Sequence, residues 1–575
     1  MLPNQLRFIK FHVNYSVTLK QQRYYSIERA RLQNTKSQDV MQKEPSSIGV
    51  SASNERLLGE IYPAAKVVPM VLTNKEPVVL SFDEVPGPKS LKYISSIRAY
   101  LSEIGTQLTA SVLTMGLNIG AYVNNRKPLK NLSTLFDEYG PVVRFVSPVG
   151  ADIVLINHPD HIQKVYTVEG DCPVRSTLDS LEKYRIDHRN HIYGGLYTIH
   201  GQEWMRQRSV VYNPLHSSVS QHIQGIDDVC ENFANKIYNI RNNQDEIPKD
   251  LYRELHKWSF DCMGLILFSK KFTMLDTELV YSQCDMSWLY HSLEKATQAI
   301  IKCETGLHFW KLFTTPAWLS LVKYCDSLDN LIGKHVMEAE QAISFRTQDE
   351  IGKNSLINAM LMSDEKMNAE DIATIIMDML LIGVNTVTSS MSFLLYNLAK
   401  YQRSQRMLYE EISKAYNTDN IDIDKIKEET PYLQACIKET LRFSYRLVPP
   451  IPVLTRILSR NITLDKYNIP RGTLIIMSTQ DASLKENNYD DAIRFCPERW
   501  LKPDAKDYHA FASIPFGFGA RKCIGQNIAE TMLSMLTIRL IQKYKLEYHY
   551  GDIKPTRCFI ARPNKPLKIR FVDRN

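Results

Sequence analysis

The chain has 575 residues, and its 70 Lys and Arg against 63 Asp and Glu leave a net charge of only +7. Its 44% hydrophobic and 23% charged residues are typical of a globular protein, which excludes a mostly disordered, collagen-like or coiled-coil chain. Ten cysteines without a Cys-x-x-Cys pair argue against a disulfide scaffold or a zinc ribbon, and so dilute a positive charge argues against a nucleic-acid partner.

Residues 1–27 carry four basic residues and no acidic one, with apolar residues scattered between them. This composition is typical of a mitochondrial transit peptide, because a secretory signal needs an unbroken apolar run of about 7–15 residues and a membrane anchor about 20. Arg23-Tyr24-Tyr25-Ser26 resembles a processing site, so we predict a transit peptide over residues 1–25. A frayed basic tail is the alternative. Residues 26–84 are predicted to form a flexible segment.

Residues 85–575 are predicted to form one large domain, mainly α with small β-sheets. Its start is marked by Val85-Pro86-Gly87-Pro88, where two prolines disfavour helix. Residues 105–123 carry no charge, but their polar side chains favour a segment packed on the body or lying on a membrane surface over a membrane span.

The remaining elements follow from hydrophobic periodicity and turn residues. Helical periodicity dominates residues 158–445. The other predicted elements are a helix at Leu129–Phe136, a hairpin of Val142–Phe145 with Ile153–Ile156, a strand at Ile462–Leu464, a turn over residues 467–472, a strand at Thr473–Met477 and a helix at Ile528–Tyr544.

The segment Ile372–Ala399 contains Asp378 as its only charged residue. Hydropathy alone would nominate a membrane span, but Asp378 near the centre would cost about 2.5–3.5 kcal/mol on insertion scales. We therefore predict a helix through the interior of a large soluble protein, capped by Asn368. Gly383 and Thr386 share one face, where glycine removes bulk and the hydroxyl is free to bond to the preceding turn or to a small ligand.

The segment Phe516-Gly517-Phe518-Gly519-Ala520-Arg521-Lys522-Cys523-Ile524-Gly525 directly precedes the last predicted helix. Its glycines permit close approach of the backbone to a flat ligand. Cys523 stands before a helix, where the amides and the helix dipole favour thiolate, and Arg521 adds a cation nearby. A buried, inert cysteine in a glycine-rich turn is the alternative. The pattern favours a thiolate metal ligand beside a counter-charge for an acidic group.

This loop resembles the heme-binding loop of the cytochromes P450, whose pattern Phe-x-x-Gly-x-Arg-x-Cys-x-Gly is met at Phe516, Gly519, Arg521, Cys523 and Gly525. The resemblance extends from about residue 85 to the end of the chain. It implies the cytochrome P450 fold, with a long central helix over the heme, and a heme b whose iron is bound by the Cys523 thiolate. Thiolate donation to heme iron favours O–O cleavage.

Other motifs of the family occur in the expected order. Glu439-x-x-Arg442 resembles the motif that pairs with a further arginine, here Arg499, in a buried network behind the heme. The resemblance also implies a set of residues that bind the two heme propionates. These are Trp204 and Arg208 of the Trp204-x-x-x-Arg208 motif, together with Arg456 and Arg521.

The run Ile382-Gly383-Val384-Asn385-Thr386 resembles the oxygen-activation motif of the same family, which assigns catalytic roles to Gly383, Asn385 and Thr386. Two positions depart from the motif. Ile382 replaces a small residue, and Asn385 replaces an acid and cannot itself release a proton. Thr386 keeps the hydroxyl that holds a proton-delivering water near bound dioxygen, so we still expect oxygenase chemistry.

The transit-like N terminus and Lys438 are similar to the mitochondrial branch of the family. Its members receive electrons from an acidic ferredoxin, which is reduced by an NADPH-dependent reductase and docks on basic residues. Lys522 adds to the same positive face. Gln434 stands where a second docking lysine can occur, and Gln526-Asn527 where this branch commonly has two arginines. These departures imply a weaker or altered partner interface.

The expected function is hydroxylation of an apolar substrate by O2, with electrons from a mitochondrial ferredoxin. The resemblance favours a sterol or steroid, such as a moulting-hormone precursor, and peripheral attachment to the matrix side of the mitochondrial inner membrane. Oxidation of lipophilic xenobiotics is the nearest alternative. A heme protein that binds a hydrophobic ligand with weak oxygenase activity is a second one, and a membrane scaffold would require the heme motifs to be accidental.

Overall fold

The computed structural model describes residues 79–88, 133–146, 152–247, 250–275, 285–304, 308–345, 355–365, 367–416, 425–443, 454–501, 508–556 and 560–574. The predicted transit peptide, most of the predicted flexible segment, the uncharged run 105–123 and the connection within the predicted hairpin of Val142–Phe145 with Ile153–Ile156 lie outside these residues.

Helices dominate the described residues, which confirms the predicted mainly α fold. Two π-helical turns, Tyr184–His188 and Met379–Val384, interrupt the regular helices. The α-helices are α1 (Ser133–Tyr139), α2 (Pro159–Thr167), α3 (Asp179–Lys183), α4 (Gly201–Ile240), α5 (Leu251–Phe268), α6 (Asp285–Glu304), α7 (Pro316–Phe345), α8 (Leu356–Leu361), α9 (Ala369–Asp378), α10 (Asn385–Lys400), α11 (Gln402–Ala415), α12 (Ile426–Glu429), α13 (Pro431–Phe443), α14 (Thr479–Ser483) and α15 (Gln526–Lys543).

Eight short strands form three small sheets in the described residues. A four-stranded sheet has the order β1-β2-β6-β3, with β2 and β6 parallel and the other pairs antiparallel. Two antiparallel pairs, β4 with β5 and β7 with β8, complete the set. The strands are β1 (Val142–Phe145), β2 (Ile153–Ile156), β3 (Thr455–Ile457), β4 (Ile462–Leu464), β5 (Tyr467–Ile469), β6 (Leu474–Met477), β7 (Tyr544–Glu547) and β8 (Arg570–Asp573).

The predicted pairing of β1 with β2 is confirmed residue for residue, but the predicted turn over residues 467–472 is wrong at its start. Tyr467–Ile469 is strand β5, and the chain reverses two residues earlier, where Asp465 adopts a left-handed φ of 54°. The side chains of Tyr467 and Ile469 are buried and that of Asn468 is exposed. This alternation is typical of a half-buried strand. Pro470 and Gly472, which suggested the turn, lie after the strand in the connection between β5 and β6.

Residues 79–84 correct the predicted boundary of the flexible segment, because they pack on the body. Leu80 exchanges backbone hydrogen bonds with the β4–β5 hairpin, donating to the Lys466 carbonyl at 2.7 Å and accepting from Asn468 at 3.0 Å. The Arg144 guanidinium of β1 lies 3.8 Å from the centre of the Phe82 ring. The ordered body therefore includes residues before the proline pair.

The central helix of the body comprises α9, the π-turn Met379–Val384 and α10. It is long and apolar enough to span a membrane, yet it is largely buried among the other helices, with α5, α13 and α15 packed against α10. Its predicted cap is confirmed, since the Asn368 side chain accepts from the Asp371 amide at 2.7 Å. Asp378 is paired with Arg185 at 2.6 Å and accepts from the Tyr197 amide at 2.9 Å. The interior location predicted for this helix is therefore confirmed.

Candidate functional site

The loop that carries Cys523 is a tight backbone structure just before α15. The Cys523 amide donates to the Phe516 carbonyl at 2.9 Å, and the Lys522 amide donates to the Gly519 carbonyl at 3.0 Å. Gly517 and Gly519 both have φ of +71°, a conformation that side-chain-bearing residues rarely adopt. The turns that present the cysteine thus require glycine at the motif position Gly519 and at Gly517 beside it.

The Cys523 side chain is exposed, although the protein packed around it desolvates it. Burial raises the pKa of the Cys523 thiol, and the Gly525 amide and the Arg208 guanidinium offset only part of this rise. The sequence anticipated only the second effect. Coordination of a metal ion would overcome the first, because a bound cation deprotonates a coordinating thiol.

Three of the predicted propionate-binding residues meet beside this loop. Arg208 of α4 donates to the Lys522 carbonyl at 2.7 Å. The Arg521 guanidinium lies 3.7 Å from the centre of the Trp204 ring, and it donates to the carbonyls of Pro173 at 3.0 Å and Ile199 at 2.9 Å. Trp204 and Arg208, four residues apart, therefore occupy successive turns of one helix face that abuts the cysteine loop.

Arg456 of β3 and Arg175 complete a cluster of four arginines with Arg208 and Arg521. Burial lowers the pKa of Arg521 to about 8, and the charges of Arg175, Arg456 and Arg208 act in the same direction. The Arg521 Nη1 atom is buried without a hydrogen-bond partner. A set of mutually repelling, partly unsatisfied guanidinium groups fits two carboxylates, which would supply both the missing charge and the missing acceptors.

Arg175 was not identified from the sequence. It lies in the irregular stretch between α2 and α3, where neither spacing nor a motif distinguishes it. Its guanidinium stacks 4.5 Å from the centre of the Tyr197 ring, and its Nε atom is buried without a partner. The only signal for Arg175 in the sequence is a basic residue two positions after Pro173. A chain with 70 Lys and Arg has many such positions, so this signal does not distinguish Arg175.

Glu439 and Arg442 of α13 form one buried network with Arg499. The Glu439 carboxylate accepts from Arg442 at 2.7 and 2.8 Å, and from Arg499 at 3.1 Å. It also accepts from the Cys496 amide and the Trp500 indole, both at 3.0 Å. Arg442 in turn donates to the carbonyls of residues 483, 492 and 494. The network thus ties α13 to the chain that leads into the cysteine loop.

The predicted oxygen-activation motif spans the π-turn and the first residues of α10. The Thr386 hydroxyl donates to the Gly383 carbonyl at 3.2 Å, and both residues are half-buried. Asn385 has a separate set of partners: its amide donates to Thr297 at 3.1 Å and its oxygen accepts from Arg562 at 3.1 Å. The structure therefore does not bring the side chains of Asn385 and Thr386 together, and Asn385 is held by α6 and the C-terminal region.

Lys438 is exposed on α13 and Lys522 is half-buried in the cysteine loop. The three uncharged residues at the docking positions, Gln434, Gln526 and Asn527, all have partners within the protein, and Asn527 accepts from Lys427 at 3.2 Å. Gln434 donates to Ser534 at 3.2 Å, and Gln526 donates to Glu530 at 2.8 Å. Glu530 also pairs with Lys427 at 2.8 Å. The surface around α13 and α15 therefore carries an acid among its cations.

A cysteine loop beside an arginine cluster, a buried Glu-Arg-Arg network and a central helix with a π-turn define the site of a heme-thiolate protein. The Cytochrome P450 family model matches residues 110–571. The chain belongs to the cytochrome P450 family. It is a monooxygenase of that family, whose cofactor is heme with a cysteine thiolate on the iron.

Curated relatives extend over most of the chain. Probable cytochrome P450 301a1, mitochondrial, of Drosophila melanogaster is 27% identical over 86% of this chain and 87% of its own length. The mitochondrial 1,25-dihydroxyvitamin D(3) 24-hydroxylase of Rattus norvegicus is 29% identical, over 78% of this chain and 85% of that enzyme. Probable cytochrome P450 12a5, mitochondrial, of Drosophila melanogaster is 28% identical over 79% and 87%. These relatives are mitochondrial cytochromes P450, in agreement with the predicted branch.

Proposed function

We propose that the protein is a mitochondrial, ferredoxin-dependent monooxygenase that hydroxylates a sterol or steroid, with Cys523 as the iron ligand. The observation that carries the heme site is the arginine cluster at the cysteine loop, in which Arg521 retains a buried, unpartnered N–H group. Arg175, Arg208, Arg456 and Arg521 would hold the propionates. The bound heme would activate dioxygen for insertion of one oxygen atom into a C–H bond.

Thr386 is the residue we propose to hold a proton-delivering water. Its hydroxyl bonds to the Gly383 carbonyl within the π-turn, and π-turns often occur at functional sites. Gly383 packs closely, because a Cβ there would lie 3.2 Å from the Met263 Cε atom. We assign Asn385 a supporting role only, since its amide is satisfied by Thr297 and Arg562.

Replacing Thr386 by valine should leave the heme spectrum unchanged and lower product formation by roughly a hundredfold, the lower end of what a positioned proton-transfer group contributes. Reductant would still be consumed and hydrogen peroxide released. The control is Thr388→Val, which removes a buried hydroxyl that donates to the Val384 carbonyl at 2.7 Å two residues further along the helix. An equal loss of product formation in both variants would contradict a specific role for Thr386. Product formation by Thr386→Val without excess consumption of reductant would contradict it as well.

A sterol or steroid substrate is supported by the similarity to the vitamin D 24-hydroxylase. To test the proposed function, the purified protein would be reconstituted with a mitochondrial ferredoxin, its reductase and NADPH, and offered a panel of sterols, steroids and lipophilic xenobiotics. Hydroxylated sterol products would support the proposal. If only xenobiotics are oxidised, the substrate class is xenobiotics and not sterols or steroids. If peroxide is released and no substrate gives a product, the ligand-binding alternative is favoured.

Peripheral membrane attachment is supported by exposed apolar side chains in the segment between α6 and α7 and in the first turn of α7. These side chains are 47–64% exposed, and two of their rings stack 5.7 Å apart. Contiguous exposed apolar surface of this kind marks an interaction site on a soluble body. The patch consists of Phe309, Leu312, Phe313 and Leu319. We propose that it enters the surface of the inner membrane from the matrix side.

Lys438 and Lys522 are proposed to dock the acidic ferredoxin. The double replacement Lys438→Gln with Lys522→Gln should raise the KM for ferredoxin several-fold at low ionic strength, and the difference should shrink as salt screens the surface charges. The substrate-induced spectral change should stay as in the wild type. Lys466→Gln, an exposed lysine of the β4–β5 hairpin, is the control. A KM for ferredoxin independent of both charge and salt would exclude this docking face.

A further inference from the structure

Glu169 is a buried acid next to the proposed propionate site that none of the sequence motifs includes. It follows α2, and its carboxylate is paired with the Arg456 Nε atom. Only 7% of the Glu169 side chain and 4% of the Arg456 side chain are exposed. Burial raises the pKa of Glu169, whereas the Arg456 charge, its hydrogen bond and the Ala520 amide lower it. A buried carboxylate is retained at such a cost only when it is paired and hydrogen-bonded.

The same carboxylate touches the cysteine loop. A Cβ atom on Gly519 would lie 2.1 Å from the Glu169 Oε1 atom, so the loop passes directly against the acid. The Ala520 amide is a further hydrogen-bond donor to it. Gly519 is therefore needed for two reasons, its left-handed φ of +71° and the space that Glu169 occupies.

Arg456 is fixed in orientation by these surroundings. Its Nη1 atom donates to the Thr455 carbonyl at 2.8 Å, and its guanidinium lies 4.8 Å from the centre of the Tyr166 ring. The Nη2 atom donates to the Phe518 carbonyl at 3.4 Å. With Nε bonded to Glu169, each terminal nitrogen has one further N–H group, and these two groups can bind a carboxylate. Glu169 thus determines which edge of Arg456 is presented to a ligand.

Glu169 also sets the charge of the cluster. Arg175, Arg208, Arg456 and Arg521 carry four positive charges, and Glu169 leaves a net three. Two propionates and one thiolate would carry three negative charges, and the iron–porphyrin core would add one positive charge in the ferric state and none in the ferrous state. Charge in a desolvated site acts strongly on a nearby redox centre, because the effective dielectric constant is low there.

We infer that Glu169 is a positioning residue for the heme, holding Arg456 toward a propionate and lowering the reduction potential of the iron. This inference rests on the proposed heme site. Removing the negative charge favours the more electron-rich ferrous state, so Glu169→Gln should shift the potential in the positive direction. It should also speed heme transfer to apomyoglobin about tenfold, which corresponds to roughly 1.4 kcal/mol. Glu169→Asp keeps the charge and shortens the arm, so its potential should stay near that of the wild type while heme transfer is still faster.

The measurements are a spectroelectrochemical titration and heme-transfer kinetics on the purified full chain, after the thiolate spectrum of the reduced carbon monoxide complex has been recorded. The control is Asp227→Asn, which breaks an equally buried ion pair with Arg539, at 2.8 Å, between α4 and α15. Asp227 is 23 residues beyond Trp204 on α4, about 35 Å along the helix axis. This control should lower thermal stability without moving the potential.

The outcomes separate the two proposals. If the wild-type protein lacks the thiolate spectrum, the proposed heme site fails. If Glu169→Gln shows the normal spectrum with an unchanged potential and unchanged heme transfer, the role of Glu169 is wrong. If Glu169→Gln does not fold, Glu169→Asp decides: faster heme transfer at a normal potential supports the positioning role, and wild-type transfer kinetics overturn it.

Discussion

The reduced carbon monoxide complex of the Cys523→Ala variant is expected to lack the thiolate-type Soret band that the wild-type protein shows. Cys523 has an accessible side chain in the loop before α15. Burial raises the pKa of its thiol, and the amide of Gly525 and the guanidinium of Arg208 oppose this effect. Alanine offers no ligand, so hydroxylation should fall to background. Because the arginine cluster is untouched, some heme can still bind by its propionates and hydrophobic faces, and its spectrum would then report a different axial ligand.

The matched control for this experiment is Cys172→Ala. Cys172 is a half-buried free cysteine whose thiol also feels the Arg521 charge, so it shares the electrostatic surroundings without being in the loop. Its band and activity should equal those of the wild type. A thiolate band that persists in Cys523→Ala and disappears in Cys172→Ala would show that Cys172, and not Cys523, is the iron ligand. A thiolate band that persists in both variants would mean that neither Cys523 nor Cys172 is the iron ligand.

The sequence predicted those parts of the site that depend on local spacing. The cysteine loop, the Trp204–Arg208 helix face and the Glu439–Arg442 pair each lie within ten residues, so periodicity and turn residues determine which side chains share a face. The same holds for the cap at Asn368, whose partner is three residues away. In these segments local propensity and the tertiary structure agree.

Long-range contacts that belong to none of the recognised family motifs were not predicted. Glu169 meets Arg456 across 287 positions of the chain, and Arg562 meets Asn385 across 177. The role expected for Asn385 came from its position in the oxygen-activation motif beside Thr386. Adjacent helix residues point about 100° apart, and the Asn385 amide is satisfied by Thr297 and Arg562. The reversal at Asp465 was missed for a related reason, since a left-handed residue other than glycine leaves little signal in the sequence.

Replacing Glu439 by glutamine is expected to destabilise the folded protein by about 3–5 kcal/mol, the cost of removing one partner from a buried ion pair. Glu439, Arg442 and Arg499 are all essentially inaccessible to solvent. The carboxylate satisfies two guanidinium groups, the Cys496 amide and the Trp500 indole at once. A neutral amide leaves two buried cations uncompensated, and it turns an acceptor atom into a donor that faces other donors.

The loss should be measured as a lower midpoint of thermal or denaturant unfolding, together with reduced heme incorporation during expression. The control is Glu411→Gln on α11, which packs against the start of the helix that carries Glu439. The Glu411 carboxylate accepts from the amides of Tyr432 and Leu433 at 2.7 and 3.0 Å, at the start of α13. Glutamine keeps an acceptor oxygen there, so this change should cost no more than the roughly 0.5–2 kcal/mol of a lost helix cap. The Glu439 network leads into the cysteine loop. If the Glu439→Gln protein is as stable as the Glu411→Gln protein, the ion pairs of this network do not position the loop. The loop would then be positioned by its own backbone hydrogen bonds.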